Sequence, residues 1–235
     1  MARPPKDRDT PLTEEEILAE AMRQFDRGAG EPSIRSLAAA LRVAPSAIYH
    51  HFPSRAAIVR AAVAEVWTEA VAELLNLEPN PLEADPRETL VAVGLATRRA
   101  WLAHHALAPY LAANPEGDEV SRNSIGFTVL LLERLGLGGE AAAEAFHAYG
   151  SFMTGSVLFA AERLTANKQL DADDEHRFDA ASIPGPDDEA AAATRAAIAA
   201  IIDLSRTDPA RDEELFVSGL RRLLDSLVAG PREAP

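Results

Sequence analysis

The residues best placed to do chemistry are cations with no anion beside them in the sequence. From Pro32 to Ala64 the chain has no Asp or Glu, yet Arg35, Arg42, His50, His51, Arg55 and Arg60 all fall in that window. Guanidinium and imidazole groups arranged this way invite an anion, and a phosphate backbone meets several of them together. Bond-making chemistry has much thinner support. The sequence holds no G-x-S-x-G elbow, no Walker loop, no dinucleotide fingerprint and no H-E-x-x-H pair. It holds no cysteine either, which removes thiolate zinc sites, iron–sulfur clusters and cysteine nucleophiles together. An enzyme is therefore not expected, and neither is a cofactor or a metal. Adjacent His104 and His105 diverge by about 100° on a helix and cannot share an ion as an i, i+4 pair does. The acidic run DADDEH at 171–176 places His176 where a calcium loop needs glycine.

The rest of the chain carries the opposite charge. Residues 1–66 hold nine basic and nine acidic residues, whereas residues 67–235 hold fourteen against twenty-eight, which accounts for the net charge of −14. Any polyanion is thus directed to the N-terminal part and repelled by the remainder. No run of 18 apolar residues exists, and the opening MARPPKDRDTPL lacks an apolar core, so a cytoplasmic chain without a membrane partner is expected.

Positioning these groups falls to helices. Strand signals are absent, and the mix of Ala, Leu, Arg and Glu favours an all-α fold. Residues 1–12 read as a flexible basic arm. Thr13 and Glu16 form a T-x-x-E capping box ahead of Ile17, Ala21 and Phe25. Ser33 can cap a second short helix, Arg42-Val43-Ala44 make a turn, and Pro45 opens a third helix. That third helix turns Ala47, Ile48 and Phe52 inward and leaves Pro45, Ser46, Tyr49 and His50 outward. Ser54 then caps a long helix whose apolar pairs recur every four residues to Leu75. Further helices are expected from Asp85-Pro86 to about 105, then at 106–113, 119–136, 139–164, 188–206 and 211–229, with a loop over 167–187. The architecture is a three-helix head over 13–60, joined by the long helix to a helical body over 61–230.

Helix, tight turn and second helix with a polar outward face make a helix-turn-helix, whose second helix fits the major groove. The run I-R-S-L-A followed by V-x-x-x-A-I-Y-H-H-F-P-S-R, residues 34–55, resembles the DNA-binding head of the tetracycline-repressor family of bacterial regulators. WLAHHALAPYL (101–111) and AYGSFMTGSVL (148–158) resemble that family's ligand-binding body. The resemblance implies that Arg35, Pro45, Ser46 and His50 meet base edges, and that Tyr49, His51 and Arg55 meet phosphates. Alone, Tyr49 and His51 also read as packing residues. Arg42 stands where the family usually has a turn glycine, and Ala44 where it has a capping Ser or Thr.

The body carries aromatic surface enough to line an apolar pocket, with ordinary core as the plain alternative. By the resemblance the effector pocket draws on Trp101, His104, His105, Tyr110, Phe127, Phe146, Tyr149, Phe152 and Met153. His104 matches a histidine that meets drug-bound magnesium in the tetracycline-binding member, but Ser151 replaces a second drug-contacting histidine, which argues against tetracycline. A homodimer is expected from two apolar helices of each copy, through Phe146, Gly150, Thr154, Val157, Phe216, Leu220, Leu223 and Leu227, with packing inside one chain as the alternative. The expected function is a homodimeric repressor that a small effector releases from a near-palindromic operator. The alternative is a helical dimeric interaction protein whose DNA-binding head is weakened or non-specific.

Overall fold

A computed structural model of the chain describes residues 11–28, 30–76, 80–81, 83–111, 119–169 and 209–229, with 192–194, 196–197 and 200. Helix α1 (Glu14–Asp26) starts at the Thr13–Glu16 capping box, with both reciprocal hydrogen bonds made. Helix α2 (Ile34–Leu41) starts at Ser33, whose side chain accepts from the Ser36 amide while Ser36 Oγ accepts from the Ser33 amide. Helix α3 (Pro45–His51) begins on its proline, and α4 (Arg55–Leu75) begins under the Ser54 side chain. Asp85 accepts from the amides of Arg87 and Glu88 and so starts α5 (Pro86–Ala103). The starts of α1, α2, α4 and α5 satisfy amides that the first turn leaves without partners, whereas Pro45 brings α3 one fewer amide to satisfy.

After α5 the chain tightens into a 3-10 helix, His105–Tyr110. Pro109 lies inside it and has no amide to give an α-helical ladder, so the helix expected over 106–113 is shorter and more tightly wound. Helices α6 (Glu119–Arg134), α7 (Glu140–Gln169) and α8 (Pro209–Ala229) complete the described body. Helix α7 continues to Gln169, past the expected start of a loop at 167, because no helix breaker stands before that point. The basic arm 1–10, the acidic run 171–176 and most of the helix expected at 188–206 lie outside the described residues. The fold is all-α, and no strand is found among the described residues.

Three clusters of buried apolar side chains hold these helices. Ile17, Ala21, Leu37, Ala38, Ile48, Phe52 and Ile58 close the head over α1–α4. A second cluster runs from Met22 and Phe25 of α1, through Val59, Ala62, Val63 and Val66 of α4, to Trp101, Leu107, Ala108, Val157 and Ala161 of the body. The third lies wholly in the body, where Leu90, Leu131, Leu132, Tyr149, Met153, Phe216, Leu220 and Leu224 meet. At Gly94 a Cβ would come within 2.7 Å of Leu220 Cδ2 and 3.0 Å of the Tyr149 hydroxyl, so glycine is what lets α5, α7 and α8 approach so closely.

Helix α8 is also tied by charge. Asp212 takes both Arg98 of α5 and Arg163 of α7, and Arg98 also donates from Nε to Ser156 (2.9 Å) and lies over the Phe216 ring. Arg99 joins Glu73 of α4 (2.9 Å) to Glu213 of α8 (2.5 Å). Burial alone would raise the Asp212 carboxyl, but the hydrogen bonds from Arg163 and Arg98 outweigh it and hold it below its ordinary value. Hydrogen bonding to Arg99 lowers Glu213 likewise. A lowered folded-state pKa contributes stability above the ordinary carboxylate range and loses it as pH falls through the folded value. Asp212→Ala leaves the buried Arg98 without its counter-charge and is expected to cost about 3 kcal/mol. Thermal unfolding followed by circular dichroism at neutral pH reads this, and the difference from the native chain should shrink on acidification.

Candidate nucleic-acid interface and ligand cavity

The turn between α2 and α3 sets the aim of α3. Arg42 adopts φ 56°, ψ 42°, the left-handed region, and its successor Val43 donates from its amide to Ala38 O at 2.9 Å. This is the closed turn that usually recruits glycine. A side chain there costs about 1 kcal/mol, and Arg42 is the one non-glycine residue with positive φ among those described. Ala44 makes no side-chain cap for α3, so the helix depends on Pro45 and on Ile48, which is fully buried in the head core.

The outward face of α3 then presents Pro45, Ser46, Tyr49 and His50, all exposed, with Tyr49 showing 53% of its surface. Arg35 is exposed on the first turn of α2. His51 is half-buried and close enough to Glu15 of α1 to lower that carboxyl, behind larger effects from the helix backbone and Thr13. Arg35, Arg42 and Arg60 have no acidic partner among the described residues. Arg55 has one: its Nη2 lies 2.5 Å from Glu31. Glu31 stands immediately before the acid-free window and also accepts a hydrogen bond from Tyr110 of the 3-10 helix. Burial first, and that bond second, raise the Tyr110 hydroxyl. One carboxylate thus links a cation of the head to a phenol of the body.

His104 occupies the same junction. Its Nδ1 lies 3.0 Å from Asp26 of α1 and its Nε2 3.0 Å from Glu69 of α4. A neutral imidazole has one N–H and a carboxylate only accepts, so both contacts are hydrogen bonds only when the ring is protonated.

A partly open cavity of about 610 Å³ lies in the body between α4, α5, α6 and α7. Of the residues expected to line it, Phe127, Phe146, Tyr149 and Met153 do so. Trp101 lies one layer behind, fully buried and edge-on to the wall residue Trp67 at 5.9 Å. His104 is in the junction just described, and Tyr110 packs edge-on to Phe25 of the head at 6.3 Å. Phe152 stacks on Phe216 at 5.6 Å, away from the cavity, and His105 is not among the walls. Trp67, Thr97 and Asn123 do line it but were not expected to. Trp67 belongs to the apolar stripe of the joining helix, and nothing in the sequence marks the two polar residues.

The residues expected at a dimer interface divide three ways. Phe146, Gly150 and Thr154 line the cavity. Val157, Phe216 and Leu220 are buried inside the protomer, and Leu223 and Leu227 pack half-buried against the same core. The outer face of α7 carries His147, Ser151, Gly155, Leu158 and Phe159 instead, all exposed.

Residues 17–62 match the family model described as bacterial regulatory proteins, tetR family, and residues 78–229 match the tetracyclin repressor-like C-terminal domain. The chain belongs to the tetracycline-repressor family. Its head is that family's DNA-binding module and its body the family's ligand-binding domain. Among solved structures it is similar to the regulator SCO7222 of Streptomyces coelicolor, at 26% identity and TM-score 0.68 over 94% of this chain and all of the other. It is similar to apo ActR of the same organism at 25% identity and TM-score 0.69, over 95% of this chain and 98% of the other. A TetR variant of Acinetobacter baumannii, in complex with minocycline, shares the fold at 21% identity and TM-score 0.63 over 93% and 92% of the two chains. No curated protein matches the chain. Among the described residues no helix is long and apolar enough to cross a membrane.

Glu31 competes with any phosphate for Arg55. Glu31→Gln is expected to tighten binding to duplex DNA by a few-fold, in keeping with about 0.2–1 kcal/mol for an exposed ion pair. It should also steepen the salt dependence of log affinity by about one phosphate contact. Fluorescence anisotropy across a salt series measures both.

Proposed function

We propose that the chain is a homodimeric repressor that leaves a near-palindromic operator when a small effector fills the body cavity. The observation that carries this reading is the cluster joining Phe25 of the head to Trp101 and Leu107 of the body, because a change at the cavity wall cannot leave that packing untouched. Trp67 belongs to both places: it lines the cavity and packs against the cluster. Arg35, Pro45, Ser46 and His50 then read bases, while Tyr49, His51 and Arg55 hold phosphates. ActR has been solved in complex with (S)-DNPA and with actinorhodin, and a small-molecule complex of a similar regulator is the precedent for an effector here.

Two heads must reach successive major grooves, about 34–36 Å apart. The partner copy docks on the outer face of α7, where Ser151 and Gly155 are small and Leu158 and Phe159 are exposed, together with the neighbouring open edge of α8, where Leu223 and Leu227 are half-buried and Val228 is exposed. An effector that prefers a head spacing unsuited to the operator lowers operator affinity, and operator lowers effector affinity by the same factor. The acidic body faces away from DNA, no catalytic step is involved, and a cytoplasmic site of action follows. A second reading, a dimeric interaction protein with a weakened head, draws support from the left-handed Arg42 and the uncapped α3.

Selection from random duplex DNA, followed by titration over about 50–300 mM salt, separates the two. The repressor reading expects an enriched palindrome bound with a steep salt slope. Gly155→Arg, which places a charge on the open face of α7, is expected to give monomers by sedimentation and to lose the palindrome. No enriched sequence, with the native dimer intact, favours the interaction protein.

A further inference from the structure

We propose that the body cavity takes an uncharged, largely apolar aromatic molecule bearing hydroxyl or carbonyl groups. This rests on the effector reading above and narrows it to a ligand class. None of the described residues that wall the cavity is Asp, Glu, Lys, Arg or His. An ionised ligand would surrender hydration against these described walls and find no counter-charge on them, which is the costly form of burial.

The walls instead offer ring faces and aliphatic surface. Trp67, Phe127 and Phe146 contribute rings from three different helices. Tyr149 adds a fourth ring and little more, because its hydroxyl donates to Leu90 O at 2.9 Å. Burial raises that hydroxyl well above its ordinary value and keeps it neutral. Thr128 has likewise spent its proton, on Ser124 O at 2.9 Å.

Thr97 on α5, Asn123 and Ser124 on α6 and Thr154 on α7 are left to meet polar substituents. None of these side chains has a hydrogen-bond partner among the described residues, and all are neutral groups that both donate and accept. A few such groups in an apolar wall fix a ligand's orientation. They suit hydroxyls and carbonyls and offer nothing to neutralise a carboxylate, a sulfonate or an ammonium. The volume of about 610 Å³ admits a molecule of two or more fused rings.

The chain supplies its own reporter. It has two tryptophans; Trp67 forms part of the wall, and Trp101 stands edge-on to it at 5.9 Å, so an aromatic ligand quenches or accepts their emission. The full chain is titrated with N-phenyl-1-naphthylamine and with 8-anilino-1-naphthalenesulfonate, which adds one sulfonate to the same rings. The uncharged dye is expected to bind saturably, with energy transfer from tryptophan, at least about tenfold tighter than its sulfonated analogue. Equal or tighter binding of the sulfonate overturns the proposal, and that comparison needs no variant. Gly150→Phe projects a ring from a wall position where a Cβ meets nothing within 4 Å, and it should abolish the uptake; undiminished uptake by this folded variant also overturns it. Thr154→Val is expected to weaken 1-naphthol by about threefold or more, and no change removes the assigned hydrogen-bonding role. If the uncharged dye fills the cavity while the affinity for selected operator DNA stays constant, the ligand class stands and the effector reading fails.

Discussion

Met22 and Phe25 of α1 are buried against the same cluster as Trp101, Leu107 and Val157 of the body, and the mechanism we propose depends on that continuity. Fully burying one such side chain is worth roughly 1.5–3 kcal/mol, so the head cannot swing on α4 without exposing apolar area or repacking it. Close-packed interiors favour discrete alternatives over gradual deformation. In the mechanism proposed above, the junction is the element that converts a change in cavity shape into a change of head orientation. Polar contacts at its rim are secondary in energy, because the carboxylates of Asp26 and Glu69 that hold His104 are substantially exposed and such pairs are worth little. Their value is directional: they register α1, α4 and the start of the 3-10 helix against each other.

Charge separation favours DNA approaching the head and not the body. Residues 67–235 carry the whole net charge of −14, while Arg35, Arg42 and Arg60 stand in the head without opposing acids among the described residues. Glu31 is the exception that connects the two regions. It draws Arg55 toward the Tyr110 side of the junction, so the rest position of a prospective phosphate contact is set partly by the body. This gives the body an electrostatic hold on the head in addition to the packed one.

Local structure was legible in the sequence wherever short-range physics decides it. The caps at Thr13, Ser33 and Ser54 and the proline at 45 lie within three residues of the groups they satisfy, and each is where the sequence placed it. The outward set on α3 follows from helical period once Ile48 and Phe52 are turned inward. What escaped reading was the choice of tertiary partner. The stripe of Phe216 and Leu220 announced burial and left open whether a second copy or the same chain covers it; α5 and α7 of the same chain do. His104 was read toward the ligand, yet it faces two acids that precede it by 78 and 35 positions. Glu31 was excluded by a window drawn one residue too late along the chain. Thr97 and Asn123 became candidate ligand contacts only when four helices met around a cavity.

Native-state hydrogen exchange of the full chain in increasing denaturant tests the shared junction most directly. If the head and body are one packed unit, amides in the middle of α1, in the second half of α4 and in α5 exchange through a common opening of similar free energy. Exchange of α1–α3 at much lower free energy, while α4 and α5 stay closed, would show a head that unfolds on its own and would contradict coupling through the buried cluster.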